Sequence, residues 1–260
     1  MSARRTPWWV AALTAAVLCL LHLPILVLIA SSFNRSRFAM RWDGFTLHWY
    51  SRLLERGDVL EALRASLVVA LVSTALATVF GTLIALALAR HAFPGRRIYQ
   101  GLLYLPIVTP EIVVGISLLV LFATAGVTLG LATITIAHVA FNISFVAVVV
   151  LARLHGTSRD LEEAAMDLGA GPLTTFFRVT LPRILPGVVA GALLAFTMSF
   201  DDFVITFFVA GVGSTTLPLL VYSMVRRGVE PTINAISTIV LIVTTVAILV
   251  AYRLREEGGS

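Results

Sequence analysis

Long apolar runs alternate with short polar segments along almost the whole chain. Six runs are long enough to cross a membrane as helices, and they cover about 8–30, 62–89, 101–123, 129–152, 184–209 and 233–252. A helix of about 20 apolar residues spans the hydrocarbon core of a bilayer. The pattern therefore predicts an all-α integral membrane protein with six transmembrane helices, formed as a single membrane domain over residues 1–260.

The polar segments between these runs predict an orientation. Arg4 and Arg5 precede the first run. The 90–97 turn carries three arginines, whereas the 124–128 turn has no charged residue. Because arginine favours cytoplasmic loops, we expect a multi-pass protein with both termini in the cytoplasm and segment 31–61 outside the membrane.

Composition supports the membrane class and excludes several others. Hydrophobic residues make up 58% of the chain and charged residues 13%, with a mean hydropathy of +0.96. Soluble domains are about 45–50% apolar and about 25% charged. The net charge of +5 comes from arginine, which indicates contact with anionic membrane lipid rather than nucleic acid. Cys19 is the only cysteine, so neither a disulfide framework nor a thiolate metal site is expected.

One long polar segment, 160–186, interrupts the apolar second half of the chain. Asp160 is predicted to cap a helix that begins at the next residue, with Glu163 at the capping-box position. Gly169 suits the left-handed residue that ends a helix, and Pro172 prevents its continuation. Small and apolar residues recur at helical spacing, at Leu161, Ala164, Ala165 and Leu168. The segment predicts a short, separate helix that can lie against a partner surface, and an ordinary loop helix is the alternative.

The spacing within this segment is specific. It contains Glu163-Ala164-Ala165, Gly169, Val179 and Leu181-Pro182 at fixed offsets. This arrangement resembles the EAA signature of the membrane-spanning subunits of ABC importers, with Val179 where that family has Ile. The resemblance implies a type I ABC importer permease fold in which a cytoplasmic coupling helix contacts an ATPase subunit. It assigns ATPase coupling to Glu163, Ala164, Ala165, Asp167, Gly169, Leu181 and Pro182.

Further stretches narrow the resemblance. They are Leu105–Ile112, Ser199–Ile205, Gly211, Leu217-Pro218, Tyr222–Met224 and Glu230–Ala235. Over roughly residues 60–250 the chain resembles the permease subunits of spermidine/putrescine importers, and among them the second of the two permeases. The resemblance implies a first helix at about 8–30, an external segment 31–61, and a five-helix core over 62–252 with the EAA loop 153–186.

The same resemblance implies partners and a location. The expected partners are two cytoplasmic ATPase subunits, a second homologous permease, an external solute-binding protein and membrane lipid, in a bacterial inner membrane. The chain contains no lysine and hence no phosphate-binding loop of the Walker type, so ATP and Mg²⁺ are expected on the partner ATPase. Related importers of phosphonates, ferric iron and other small solutes share this scaffold, and another solute therefore stays an alternative.

Three acidic residues within the predicted spans are candidates for the substrate path. An acidic group at the centre of a membrane helix costs at least about 2.5–3.5 kcal/mol, and it usually faces a cavity or a partner. Glu111, Asp201 and Asp202 can supply counter-charges for the ammonium groups of a polyamine. Neighbours on a helix point about 100° apart, so we expect one of the two aspartates to pair or cap while the other faces the path. Structural pairing is the alternative role for each acid.

Other polar residues in the spans offer no clear chemistry. His138 and Asn142 are one turn apart and are predicted to make hydrogen bonds between helices. No other metal-ligating residue lies at a spacing that would complete a metal site with these two. An intramembrane enzyme that uses the three acids is a remote alternative, because no serine–histidine constellation is evident and adjacent helical residues converge poorly on one water.

Overall fold

The structure is a computed structural model that describes residues 7–36, 41–228 and 230–257, with side chains in the last helix to residue 245. These residues form helices and connecting turns, and their only β structure is a single bridge between Asn34 and Phe45. The helices are α1 Trp8–Ser32, α2 His48–Glu55, α3 Gly57–Arg90, α4 Arg96–Val108, α5 Glu111–Thr124, α6 Leu131–His155, α7 Asp160–Asp167, α8 Pro172–Thr175, α9 Leu181–Asp201, α10 Val204–Val209, α11 Leu217–Arg227 and α12 Pro231–Glu257. The prediction of an all-α chain is confirmed for the described part.

Four helical stretches of the described residues are long and apolar enough to cross a membrane: α1, α3, α6 and the continuous run of Pro172–Asp201. A fifth is present if α4 and α5 together form one bent span. The sixth predicted run lies in α12, of which Pro231–Thr245 is apolar but shorter than a span. The count of six therefore stays a prediction.

The predicted continuous span over 101–123 is wrong, because α4 and α5 meet at an angle of 107°. Pro110 has no N–H to continue the helix, and it favours an extended conformation in the residue before it. Thr109 accordingly has ψ 131°. The bend places Glu111 in the first turn of a new helix rather than within a continuous one.

The predicted span over 184–209 is wrong at both ends. The helical run begins at Pro172 and passes through a π-helical turn at Phe176–Thr180 before it reaches α9. Asp202 then has an extended backbone (φ −62°, ψ 122°), which ends α9 and separates it from the short α10. The hydropathy pattern does not reveal this break, because the two aspartates lie within a stretch that is otherwise mostly apolar.

Close helix packing forms the centre of one compact unit, Glu61–Leu220. Val146 of α6 is buried between Gly81 of α3 and Gly191 of α9. A Cβ at Gly81 would lie 2.8 Å from the Val146 Cβ, and one at Gly191 would lie 3.3 Å from the Val146 Cα. Small residues let membrane helices approach closely, so these glycines set the spacing of α3, α6 and α9.

The second compact unit comprises the described residues of Met1–Leu60 and Val221–Ser260, where α12 packs against α1 and α2. In this unit, the buried Asn34 side chain accepts a hydrogen bond from the Asp43 N–H at 3.0 Å. The Trp49 indole donates to the Asn34 carbonyl at 2.7 Å. The segment predicted to end at 61 therefore contains the Asn34–Phe45 bridge, α2 and the start of α3. Helix α3 begins at Gly57, and the hydropathy pattern misses this start because Asp58, Glu61 and Arg64 interrupt the apolar residues of its first two turns.

Candidate functional site: a coupling helix and a cluster of carboxylates

The helix α7 occupies the predicted position of the coupling helix, but it begins differently. It starts at Asp160, after Arg159, whose carbonyl accepts from the N–H groups of Glu162 (2.9 Å) and Glu163 (3.0 Å). Arg159 has helical backbone angles (φ −83°, ψ −13°), and no side chain caps the helix. The predicted Asp160 cap and the Glu163 capping box are therefore wrong.

The end of α7 confirms the left-handed helix end predicted at Gly169. Its φ of 88° is left-handed, a region that costs other residues energy. The Gly169 N–H donates to the Met166 carbonyl at 2.9 Å, and the Ala170 N–H donates to the Ala165 carbonyl at 3.0 Å. These two bonds form a Schellman motif that closes the helix. Pro172 then opens α8, as its lack of an N–H allows.

No side chain of α7 is buried within the described chain. Leu161 is 54% exposed and Leu168 is 90% exposed, and beyond the helix Leu173 and Phe177 are exposed as well. Of the other residues predicted to couple, Glu163, Ala164, Asp167 and Gly169 are exposed, and Ala165 is half-buried. Apolar side chains grouped on an open surface mark a site of protein interaction. We call the set of four exposed apolar side chains, Leu161, Leu168, Leu173 and Phe177, the coupling surface.

The remaining predicted coupling residues lie where the coupling surface joins α9. Val179, which belongs to the EAA signature but was not assigned to coupling, is in the π-helical turn before them, a feature that often occurs at functional sites. Leu181 is half-buried and packs against the core that contains Val150 and Ile184. Pro182 is exposed in the first turn of α9. Leu181 thus connects the coupling surface with the packed helices.

An ion pair holds α7 against the end of α3. The Arg90 guanidinium donates to the Glu162 carboxylate at 2.7 Å, and the two side chains are only 13% and 14% exposed. Arg159 donates to the Arg90 carbonyl, and Arg183 of α9 donates to the Ser158 carbonyl at 3.3 Å. Sequence reasoning missed this pair because 72 residues separate its members. These bonds connect α7 and the residues just before it to α3 and α9.

The two adjacent glutamates of α7 are expected to respond differently to substitution. Glu162→Ala should destabilise the protein by about 3 kcal/mol, since it leaves the Arg90 charge largely buried without a partner. Glu163→Ala, the matched control, removes an exposed carboxylate and should leave stability within about 0.5 kcal/mol of wild type. Thermal unfolding of the purified complex measures both. Equal stability of the two variants would contradict a structural role for the ion pair.

The structure brings the three predicted path carboxylates together at two helix breaks. Glu111 is the first residue of α5, and Asp201 is the last residue of α9. Both are exposed. α5 packs on α10 so closely that a Cβ at Gly115 would lie 2.7 Å from the Phe208 ring. Glu111 lies close enough to Asp202 and Asp201 for their negative charges to act on its carboxylate. The acids form one negatively charged cluster.

Asp202 differs from the other two acids because its carboxylate is fully engaged. Its Oδ1 accepts from the Ile205 N–H at 3.2 Å, and its Oδ2 accepts from the Thr206 N–H and hydroxyl, each at 2.7 Å. The same Oδ2 lies 3.1 Å from His138 Nε2. The contacts of Asp202 thus meet the expectation that one aspartate pairs and caps. The break between α9 and α10 occurs at the same residue.

His138 and Asn142 both make the predicted bonds between helices. His138 is 2% exposed, and its Nδ1 lies 2.7 Å from the Ser199 Oγ. The Asn142 amide donates to the Ala195 carbonyl at 3.3 Å. The expectation that no serine–histidine constellation exists is therefore wrong: Ser199, His138 and Asp202 are in contact. Ser199 is itself buried, so its hydroxyl has no open face for a substrate.

Among the described residues, no group of three or more His, Cys, Asp or Glu side chains is arranged to hold a metal ion.

Comparison with known proteins places this architecture in a family. The model of binding-protein-dependent transport system inner membrane components matches residues 61–256. The chain belongs to this family of membrane-spanning transport permeases. It is 42% identical to the spermidine/putrescine transport system permease protein PotC of Escherichia coli K12 over 93% of this chain and 92% of that protein. It is also 42% identical to the putrescine transport system permease protein PotI of the same strain, over 91% and 86% of the two chains.

Solved structures confirm the fold. A chain of a bacterial ABC transporter involved in import of the acidic polysaccharide alginate superposes with a TM-score of 0.73 over the full length of both chains, at 16% identity. A chain of the MetNI methionine ABC transporter gives a TM-score of 0.61 over 78% of this chain and 94% of that one, at 20% identity. The predicted ABC importer permease fold is therefore confirmed.

Proposed function

We propose that this chain is a permease subunit of an ATP-driven importer that translocates a polyamine delivered by an external binding protein. The cluster of Glu111, Asp201 and Asp202 carries the proposal, because it concentrates negative charge at two breaks in otherwise apolar helices. Polyamines carry several ammonium groups, which carboxylates stabilise during passage. The polyamine transport named for the relatives supports the same solute class.

The proposed mechanism is alternating access. Closure of two partner ATPase subunits moves the coupling surface, and the Arg90–Glu162 pair and Leu181 transmit that movement to α3 and α9. Those helices pack on α6, so they shift against it and rock this permease and a second, homologous one between inward-open and outward-open states. ATP and Mg²⁺ act on the partner ATPase, since this chain has no lysine for a phosphate-binding loop.

The partners can be tested by purification. A tag on this chain should recover an ATPase, a second permease and, when solute is present, a binding protein from membranes solubilised in mild detergent. Recovery of this chain alone from membranes that contain intact importer complexes would oppose the proposal.

Another solute on the same scaffold is the second candidate. The same fold occurs in the chain from the alginate transporter, so the fold by itself does not select the charge of the solute. A thermal-shift screen of the cognate binding protein against polyamines, phosphonates and metal ions separates the candidates. Stabilisation by spermidine or putrescine supports a polyamine, whereas stabilisation only by another solute would replace it.

We also propose that both termini are cytoplasmic, that the segment 31–61 is external, and that 1–260 forms one membrane domain at the bacterial inner membrane. Arg4 and Arg5, on which the orientation of the first helix depends, lie outside the described residues. In a Cys19→Ser background, Ser36→Cys should react with an impermeant thiol reagent in spheroplasts and Ser158→Cys should not. Labelling of the Ser158→Cys protein in intact spheroplasts would contradict this topology.

A further inference from the structure

A buried chain of hydrogen bonds crosses four helices beside the carboxylate cluster. It runs from Ser73 of α3 to Ser199 of α9 (2.9 Å), to His138 of α6 (2.7 Å), and to Asp202 and Thr206 at the start of α10 (3.1 and 3.0 Å). All of these side chains are at most 9% exposed. Neither of the two proposed path carboxylates that are exposed, Glu111 and Asp201, belongs to it. Asp202 is thus the one member that this hydrogen-bond network shares with the carboxylate cluster, and the rest of the network is separate from it.

The geometry of His138 explains how Asp202 is held. An ionised carboxylate only accepts hydrogen bonds, so a bond between His138 and an ionised Asp202 is one in which Nε2 carries the proton and donates it. In the neutral ring, Nδ1 accepts from the Ser199 hydroxyl, which in turn accepts from Ser73. In the charged ring, Nδ1 donates to Ser199, Ser199 donates to Ser73, and Ser73 donates to the Ala70 carbonyl at 3.3 Å. Both arrangements give every side chain of the network its hydrogen-bond partners. Asp202 is therefore held by a neutral His138 ring and by a charged one.

The position of Asp202 decides the shape of the helix break. Its Oδ1 accepts from the Ile205 N–H and its Oδ2 accepts from the Thr206 N–H, both in the first turn of α10. The same Oδ2 contacts His138, so the carboxylate joins the direction of α10 to α6. Asp201, one residue earlier, has an exposed side chain at the end of α9. Without His138, the Asp202 carboxylate would keep its three bonds to α10 but would lose the donor that ties it to α6, so it would be held less firmly at the break.

We propose that His138 is a positioning residue that keeps Asp202 out of the path, so that the path presents Glu111 and Asp201 and not three free carboxylates. His138 thereby sets the selectivity of the permease between amines of different charge. This inference rests on the proposed import of polyamines. A path with one more free carboxylate favours a solute with three ammonium groups over a solute with two, because each added charge pair contributes a Coulomb attraction.

Two substitutions at His138 separate the two contacts of its ring. The amide of His138→Asn lies near the place of Nδ1, so it keeps a polar partner for Ser199 and is too short to reach Asp202. The longer amide of His138→Gln reaches the place of Nε2 and keeps a donor for Asp202. Both replacements are neutral and polar, which makes the glutamine variant the matched control. Thr206→Val is a third, nearly isosteric change that removes the hydroxyl donor to Asp202 and preserves the volume.

The test measures uptake of spermidine and putrescine by the whole complex in membrane vesicles, at saturating amounts of loaded binding protein, so that receptor affinity does not enter. We expect His138→Asn to raise the spermidine-to-putrescine rate ratio by at least about threefold, the lower range of coupling within one hydrogen-bond network. Thr206→Val should raise it in the same direction, and His138→Gln should leave it near the wild-type value. In an Asp202→Asn background, His138→Asn should leave the ratio unchanged, because no carboxylate remains to be released.

Several results would overturn the inference. They are an unchanged ratio in both His138→Asn and Thr206→Val, an equal change in the asparagine and glutamine variants, or a change that persists in the Asp202→Asn background. Thr206→Val supplies the test if His138→Asn fails to assemble.

If the wild-type complex transports neither amine, the proposed function fails, and hydrogen exchange then tests the positioning by itself. The Ile205 and Thr206 amides should exchange faster in Thr206→Val than in wild type, and faster in His138→Asn than in His138→Gln. Equal protection in all of these proteins would remove the positioning role as well.

Discussion

Replacement of both Glu111 and Asp201 by their amides is expected to lower polyamine uptake at least about tenfold at equal amounts of assembled complex. The amides keep the size and part of the hydrogen bonding of the carboxylates but lose their charge. One charge pair contributes about 4 kcal/mol at 4 Å and an effective dielectric of 20, less the desolvation that it must offset. Uptake of labelled spermidine, normalised to the complex recovered, measures the effect.

Controls separate the loss of charge in the path from loss of charge in general. Asp43→Asn removes the same charge from an exposed aspartate of the 31–61 segment and should leave uptake unchanged. Asp202→Asn should act mainly on assembly, because that carboxylate caps α10. Wild-type uptake in neutral variants at all three positions would contradict a carboxylate-lined path for a cationic solute and would favour a different solute.

Gly169→Val is expected to reduce transport about tenfold while the protein still inserts in the membrane, because a left-handed residue with a β-carbon costs at least about 1–2 kcal/mol. Gly169 has φ 88°, and a Cβ there would have no atom within 4 Å. The penalty is thus conformational rather than a clash, and it falls on the end of the coupling helix. ATPase activity of the complex should also lose its response to the loaded binding protein.

Gly171 supplies the matched control, two residues away. Its backbone is extended (φ −69°, ψ 161°), and a Cβ there also has open space. Valine adopts that conformation readily, so Gly171→Val should transport like wild type. Normal transport by the Gly169→Val complex would show that this helix end does not couple ATP hydrolysis to movement.

The helical architecture was predictable because a bilayer demands long apolar helices, and such runs are visible in any window of the sequence. The breaks were not, because they depend on a few residues within apolar surroundings. Pro110 signals the bend before Glu111 only once its lost N–H is considered. The break at Asp202 has no proline or glycine to mark it. It exists because the Asp202 side chain takes over the first N–H groups of the next helix.

Site residues were predictable from the sequence where a residue type carries a high energetic cost at its position. They were not predictable where residues far apart in the sequence contact one another. The acids stand out because charge within a membrane helix is expensive. The helix end at Gly169 stands out because few residues adopt its backbone conformation. His138 and Ser199 lie 61 residues apart, and Arg90 and Glu162 lie 72 apart, so only the packing of helices reveals that they touch.

Import by the complete complex in sealed vesicles tests polyamine transport most directly. The complex is recovered through this chain, reconstituted with ATP at its ATPase side, and supplied with the binding protein and labelled spermidine or putrescine at the other. We predict accumulation of the amine against its gradient that requires both ATP and the binding protein, and that falls when Glu111 and Asp201 are replaced by their amides. Accumulation of a different solute, with neither amine transported by an active complex, would contradict the account.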